Sequence, residues 1–507
     1  MNRIYVLFLG EKDWSERHTV PKHVEFVFCG RLWDLPEKEQ QRLADIVVLD
    51  RSIFPEEADR LKRITRGYCL FATEHVDMQD MCTASFFEGK MGQYLYTRDF
   101  EFFLEKETPK YFNYSYGEKF TPNALAVSQF FKGRISERGN YDLMLEGSFG
   151  EDFSQIAYWR YNIPVYAGQS IDLYLEYQKT GTVEIRLRAI QFYNGYADAV
   201  RKIWEFDEQE LVHVVTIGHE EEYGPVFMSI QAKGEGSLNI IALHDRHSRD
   251  GRGYFIPGGE RLVSEKGEEV FTYFEKGDMK PPLAVYFSGY RSQEGFEGYY
   301  MMRNFGCPFL LLTDPRSEGG AFYVGDGEYE SMISNLIWEK MRQLGFSEKE
   351  VVLSGASMGT YGSLYYGSEI TPHALILAKP LTSMGTVAEN ERILRTGGFG
   401  TSLDILLKNY GSLDEEAIAA FDRRMWSRFD KADWSETRFI VSYLYEDDYD
   451  PDGYQNILKH LRSAGAEVYG KGSHGRHTDN SAAVMEWFKS QYEKLLAEDY
   501  QRQRRKR

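Results

Sequence analysis

Between residue 281 and about residue 500, short β-branched runs alternate with amphipathic helical stretches, and one strand-to-helix junction is pinched between glycines. The order is strand "LAVYFSG", helix "GFEGYYMMRNF", strand "PFLLLTD", helix "YESMISNLIWEKMRQLG", strand "EVVLSG", turn "ASMG" and another helix. Strand "HALILAK", a helical insertion over 386–430, strand "RFIVSYLYED", helix "GYQNILKHLRSAG", strand "AEVYGKG" and helix "SAAVMEWFKSQYEKLL" complete it. Parallel neighbours need crossovers, and helices supply them, so the pattern predicts a mostly parallel sheet covered on both faces. Its order is that of an α/β-hydrolase-like domain, with the insertion where that fold carries a lid.

The junction reads Gly355-Ala-Ser357-Met-Gly359. A serine raised above a sheet on such a turn needs glycine two positions before and after it, because side chains there would strike the neighbouring backbone. Ser357 is therefore a candidate nucleophile. Its hydroxyl needs a base, and the base needs a carboxylate to fix its tautomer. In this fold the order is serine, acid, histidine. The acid should follow the next-to-last strand, where "YEDDYDP" offers Glu446, Asp447, Asp448 and Asp450. Asp447 is preferred, with Asp448 and Glu446 next. The histidine should precede the last helix, where "GSHGRHTDN" holds His474 and His477; His477 lies nearer the helix and is preferred. An acyl-transfer oxyanion also needs two N–H donors. Met358, after the serine, should supply one; Tyr290, or else Gly289 or Arg291, should supply the other from "SGYRSQEG". Arg291 is also a candidate for binding a charged donor group. Phe399, Tyr410 and Trp426 in the insertion are candidates for a water-excluding cover.

At 507 residues the chain is too long for one ordinary core. Residues 1–120 alternate "RIYVLFLG", "HVEFVFCG", "DIVVLD", "GYCLFAT" and "GQYLYT" with helical stretches, which predicts a Rossmann-like α/β domain. No glycine-rich phosphate loop follows these strands, so no nucleotide and no tightly bound cofactor is expected. Residues 121–275 alternate with period two, as in "SIDLYLEYQ" and "TVEIRLRAI", predicting an antiparallel β-sandwich. Sandwiches of this sort often bind sugars, although Tyr158, Trp159 and Tyr193 read first as core. "LHDRHSRDGRG" reads as a loop rather than a metal site, since His244 and His247 lack a third ligand of suitable spacing. "KGDMKPP" reads as a linker into residues 276–507.

A net charge of -18 argues against binding nucleic acid. Four scattered cysteines, no apolar window of membrane-spanning length and a first strand unlike a signal peptide point to the cytoplasm. The basic tail "QRQRRKR" reads as a solvated helix end or as a contact with acidic lipid or an acidic partner.

Five segments together carry a family resemblance: the N-terminal α/β unit, the middle unit ending in "RHSRDGRGYFIPGG", the elbow "LSGASMGTYGSLYYG", "YLYEDDYD" and "GSHGRHTDN". The chain resembles, over essentially its whole length, the accessory Sec system protein two family of Gram-positive bacteria. The resemblance implies an O-acetyltransferase acting on N-acetylglucosamine of serine-rich repeat glycoproteins before export, with Ser357, Asp447 and His477 as nucleophile, acid and base. It also implies partners: sister accessory Sec proteins, a dedicated SecA-type motor and the glycosylated adhesin, at the inner face of the membrane. The alternatives are a carboxylesterase or sugar deacetylase using the same residues, and a non-catalytic adaptor of the export complex in which the hydrolase fold serves only as a docking surface. The acetyl donor is not written in the sequence.

Overall fold

The computed structural model describes residues 3–113, 116–196, 198–220 and 222–502. Its third sheet has eight strands: β1 (Glu260–Val263), β2 (Glu269–Glu275), β3 (Leu283–Phe287), β4 (Phe309–Thr313), β5 (Val351–Ala356), β6 (Ala374–Ala378), β7 (Arg438–Leu444) and β8 (Glu467–Ser473). They lie in the order 1-2-4-3-5-6-7-8. Only the pairings of β2, with β1 and β4, are antiparallel; the rest are parallel. This is the α/β-hydrolase arrangement that the element order predicts.

Strands β3, β4 and β6 are buried along their whole length, which is why they read as unbroken apolar runs. Alternate side chains serve opposite faces. Val285, Leu310, Leu353, Leu375 and Val441 join the core under Gly327–Leu344, Met358–Ile370 and the insertion. Ala284, Leu311, Val352, Ile376 and Ile440 join the core under Tyr299–Phe305 and Ser481–Glu498. The insertion forms three helices, Met384–Ile393, Thr401–Tyr410 and Glu415–Phe429. Val387, Ile405, Phe421, Met425 and Phe429 sink into the first of these cores, so most of the insertion is built in.

The first sheet is five-stranded and parallel, in the order 2-1-3-4-5, over Ile4–Leu9, Val24–Cys29, Ile46–Leu49, Leu70–Ala72 and Gln93–Tyr94. The second is antiparallel with ten strands. It is hydrogen-bonded as one sheet because Gly224–His247, 24 residues long, runs through both arms, with register shifts between Ile230 and Glu235. One apolar core gathers side chains from both arms, Ile185 and Leu187 with Leu143 and Leu173.

The sheets move two sequence boundaries. The second sheet begins at Gly117, before residue 121, because Gly117–Phe120 pairs with Arg246–Leu243. The third begins at Glu260, well before residue 276, because β1 and β2 pair into it. "KGDMKPP" is consequently a connection between two strands of one sheet, not a linker. Period-two patterning identifies a strand but not the sheet it joins. "LHDRH", read as a loop, is the end of the long strand. Of the basic tail, Gln501 and Arg502 are described, Arg502 pairing with Asp278 at 2.6 Å; residues 503–507 lie outside the described residues.

Candidate functional site

Ser357 sits between β5 and helix Met358–Ile370 with φ 51° and ψ -120°. The left-handed region is unfavourable for a residue with a Cβ, so the surroundings must hold it there. They do so by packing. A Cβ on Gly359 would lie 2.0 Å from the carbonyl oxygen of Phe287 in β3, and one on Gly355 would lie 2.3 Å from the Gly359 carbonyl oxygen. The Ser357 N–H donates to the Ala378 carbonyl at 2.8 Å, tying the turn to β6.

The serine meets a histidine. Ser357 Oγ and His477 Nε2 are 2.7 Å apart. On its other side, His477 Nδ1 lies 2.9 Å from Asp447 Oδ2 and 3.1 Å from Oδ1. His477 and Asp447 are buried, while their chain neighbours turn elsewhere. Asp447 Oδ1 also accepts the N–H of Tyr449 at 2.9 Å, which orients the carboxylate.

The remaining candidates are separated from this chain of contacts. His474 pairs with Glu446 at 2.8 Å in an exposed position, with the histidine side chain 84% accessible. Asp448 Oδ1 accepts the backbone N–H of His477 at 3.1 Å, and its Oδ2 accepts from Arg395 Nε at 2.6 Å. Burial pushes its carboxyl upward, but these two donors hold it below the usual carboxylate range. Asp450 is buried away from the ring; its Oδ2 accepts from Thr382 N–H at 2.6 Å, Thr382 Oγ1 at 2.9 Å and Ser383 N–H at 3.0 Å. Burial pushes it up to about 7.

The oxyanion candidates also separate. The Gly289 N–H is occupied, donating to Glu297 Oε2 at 2.7 Å, and the Arg291 N–H donates to the Gly319 carbonyl at 3.1 Å. Among the described residues no group accepts from the N–H of Tyr290 or of Met358. The Arg291 side chain borders a neighbouring cavity instead of the one over Ser357, so the donor-binding role expected of it has no support here.

A cavity of about 580 Å³ lies over Ser357 and His477, walled by Tyr290, Glu297, Glu318, Lys379, Phe399 and Tyr449. Of the three aromatic cover candidates only Phe399 reaches it; Tyr410 and Trp426 pack on the core. Three side chains not singled out from sequence shape the site. Tyr449 stacks on the His477 ring, centroids 4.3 Å apart and planes 9° apart, and Arg395 lies 3.7 Å over the Tyr449 ring. Lys379, buried after β6, donates to the His477 carbonyl at 2.6 Å and to Ser481 Oγ at 2.7 Å; burial lowers its ammonium below the ordinary lysine range. Nothing in "ALILAKP" or "DDYDP" announces these contacts, which come from residues far apart in the chain. Among the described residues no group of three or more His, Cys, Asp or Glu side chains is placed to hold a metal.

The family model described as "Accessory Sec system GspB-transporter" matches residues 4–502. The chain belongs to that family. It is 36% identical over 510 residues to an accessory Sec system protein of Streptococcus gordonii, covering 99% of this chain and 100% of that protein. A Staphylococcus aureus protein of the same description is 39% identical over 391 residues, 77% of this chain and 75% of the relative. Among solved structures, a chain of the "Glycosylation Associate Protein (Gap123) complex from Streptococcus agalactiae" superposes with a TM-score of 0.85 at 35% identity, covering 98% of this chain and 99% of that one. Family membership thus extends over all three sheets, not the hydrolase sheet alone.

Proposed function

We propose that this family member is a serine-nucleophile O-acetyltransferase acting on N-acetylglucosamine of serine-rich repeat glycoproteins. The single observation that carries the reading is the linked series Ser357 Oγ, His477 and Asp447, at 2.7 Å and 2.9 Å, beneath a partly enclosed cavity. Ser357 Oγ attacks the acetyl carbonyl of the donor as His477 Nε2 takes the hydroxyl proton. The tetrahedral oxyanion forms against the N–H groups of Met358 and Tyr290, with the N-terminus of Met358–Ile370 adding its dipole. Collapse expels the donor's leaving group, which receives the proton from His477, and leaves acetyl-Ser357. A sugar hydroxyl then gives its proton to Nε2, attacks the ester and departs acetylated, and the proton returns to Oγ. Asp447 holds the imidazole tautomer and balances its cation throughout.

The family supports a place for this chemistry in an accessory Sec export complex on the cytoplasmic side of the membrane. There the partners are sister accessory proteins, a SecA-type motor and the adhesin. The solved relative was itself found in a complex. Among the described residues no helix is long and apolar enough to cross a membrane.

The test supplies purified protein with an acetyl ester, with and without a glycosylated acceptor. The expected result is acceptor-dependent appearance of acetylated sugar. Release of free acetate at a rate indifferent to acceptor would instead make the chain an esterase or deacetylase. A Ser357→Ala chain that folds, supports export and leaves glycan acetylation intact would leave only the adaptor role.

A further inference from the structure

The second sheet reaches into the loop that carries Tyr290. Glu294, in the loop between β3 and helix Tyr299–Phe305, forms a two-way backbone bridge with Gly117, its N–H donating at 2.8 Å and its carbonyl accepting at 3.1 Å. Its carboxylate is buried. Oε1 lies 2.5 Å from His244 Nδ1, and Oε2 accepts from Arg246 Nε at 2.6 Å. The Arg246 guanidinium also donates to Glu269 at 2.9 Å and 2.7 Å. His244 and Arg246 both sit at the end of the 24-residue strand.

The facing loop is gripped from the same sheet. Lys119, on Gly117–Phe120, donates to the carbonyls of Pro315 and Ser317, and its ammonium lies 3.9 Å from Glu294 Oε1. That loop returns to the first, since the Gly319 carbonyl accepts the N–H of Arg291, the residue after Tyr290. Tyr290 therefore lies on a loop that, together with the loop facing it, is held by one strand pair of another sheet. Charges this deeply buried are costly unless paired, so the cluster has little freedom to drift.

We infer that Glu294 is a positioning residue for the reaction at Ser357, through which the second sheet sets where the Tyr290 N–H stands over the serine. The inference rests on the catalytic reading above. Glu294→Gln keeps the shape and the backbone bridge to Gly117. However, it removes the negative charge that faces both His244 and Arg246 and leaves one amide oxygen where two carboxylate oxygens stood, so the carboxylate's grip is weakened.

Two measurements test it. The first is the reaction of Ser357 with a fluorophosphonate, in which the Oγ–P bond forms as P–F breaks, fluoride leaves and the hydroxyl proton passes to His477; the acetylation burst from an activated ester accompanies it. In Glu294→Gln both rates should fall about tenfold per folded molecule, with KM for the ester within about twofold of wild type. A merely structural role would lower the melting temperature and the folded fraction without changing the rate per folded molecule. That result would overturn the inference.

The second uses the wild-type chain and so decides the matter if the variant does not fold. Phosphonylation should slow hydrogen exchange in 117–120 and 243–247 as well as in 289–298, because coupling between two places acts in both directions. Slowing confined to 289–298 would overturn it. A wild-type chain that takes no probe sinks the reading of Ser357 itself, and this inference with it; a reactive wild type whose rate Glu294→Gln leaves unchanged sinks the inference alone.

Discussion

His477 holds a hydroxyl on one ring nitrogen and a carboxylate on the other, and it has a tyrosine face against its plane. Each partner restricts a different motion: Asp447 fixes the tautomer, Tyr449 fixes the ring plane, and Lys379 and Asp448 fix the backbone beneath. Asp447→Asn should lower kcat on an activated acetyl ester by about 10⁴-fold and Ser357→Ala by about 10⁶-fold. His474→Ala, on the exposed pair, should stay within about twofold; steady-state ester kinetics check all three. Asp450 gives a second expectation. Burial carries its carboxyl to about 7, while an unfolded aspartate releases its proton near 4. The folded state thus keeps a proton that the unfolded state gives up, so this group's contribution to stability falls as pH rises from about 4 to about 7 and is flat above that. Between pH 4.5 and 7.5 the unfolding free energy of wild type should fall relative to Asp450→Asn by about 1–4 kcal/mol, measured by urea titration at each pH. The order serine, acid, histidine could be read from the chain. Which of four acids within five residues faces the ring depends on loop projection, which spacing along the chain does not encode.

The strands of the hydrolase sheet are legible because burial on both faces forces apolar runs, and the elbow is legible because sterics leave only glycine at its flanks. Gly359→Ala would drive a methyl into the Phe287 carbonyl, with 2.0 Å where contact needs more than 3 Å. The backbone of β3 has to move, and the expected cost is about 3 kcal/mol or loss of folding, read from the denaturation midpoint. The strand end "LHDRH" was hidden for the opposite reason. Histidine and arginine look like loop residues until their carboxylates are known, and Glu294 and Glu269 lie 50 and 23 residues further along. Local composition carries no trace of such a pairing.

At the scale of the whole molecule, polar contacts join the three sheets. Tyr68 donates to the Phe274 carbonyl at 2.9 Å and Lys90 to Glu275 at 2.6 Å, joining the first sheet's unit to β2. Arg249 reaches the carbonyls of Lys110 and Phe112, both at 2.8 Å. The Asn140 N–H donates to Asp404, in the insertion, at 3.0 Å. Glu269→Ala would leave Arg246 short of a buried carboxylate and should cost about 3–5 kcal/mol. Its urea unfolding, followed by tryptophan fluorescence and circular dichroism, should separate into two transitions where wild type shows one. The change from strand–helix alternation to period-two strands could be read from the sequence; these joints could not, because each rests on a polar side chain that reads singly as surface.

Arg395 stands just beyond helix Met384–Ile393, holding Asp448 with its guanidinium and covering the Tyr449 ring. The segment that borders the cavity mouth is in this way fastened to the two groups that steady the imidazole. On the proposed reading, any shift of this segment would reach Asp448 and Tyr449 together, and through them the seat of the imidazole.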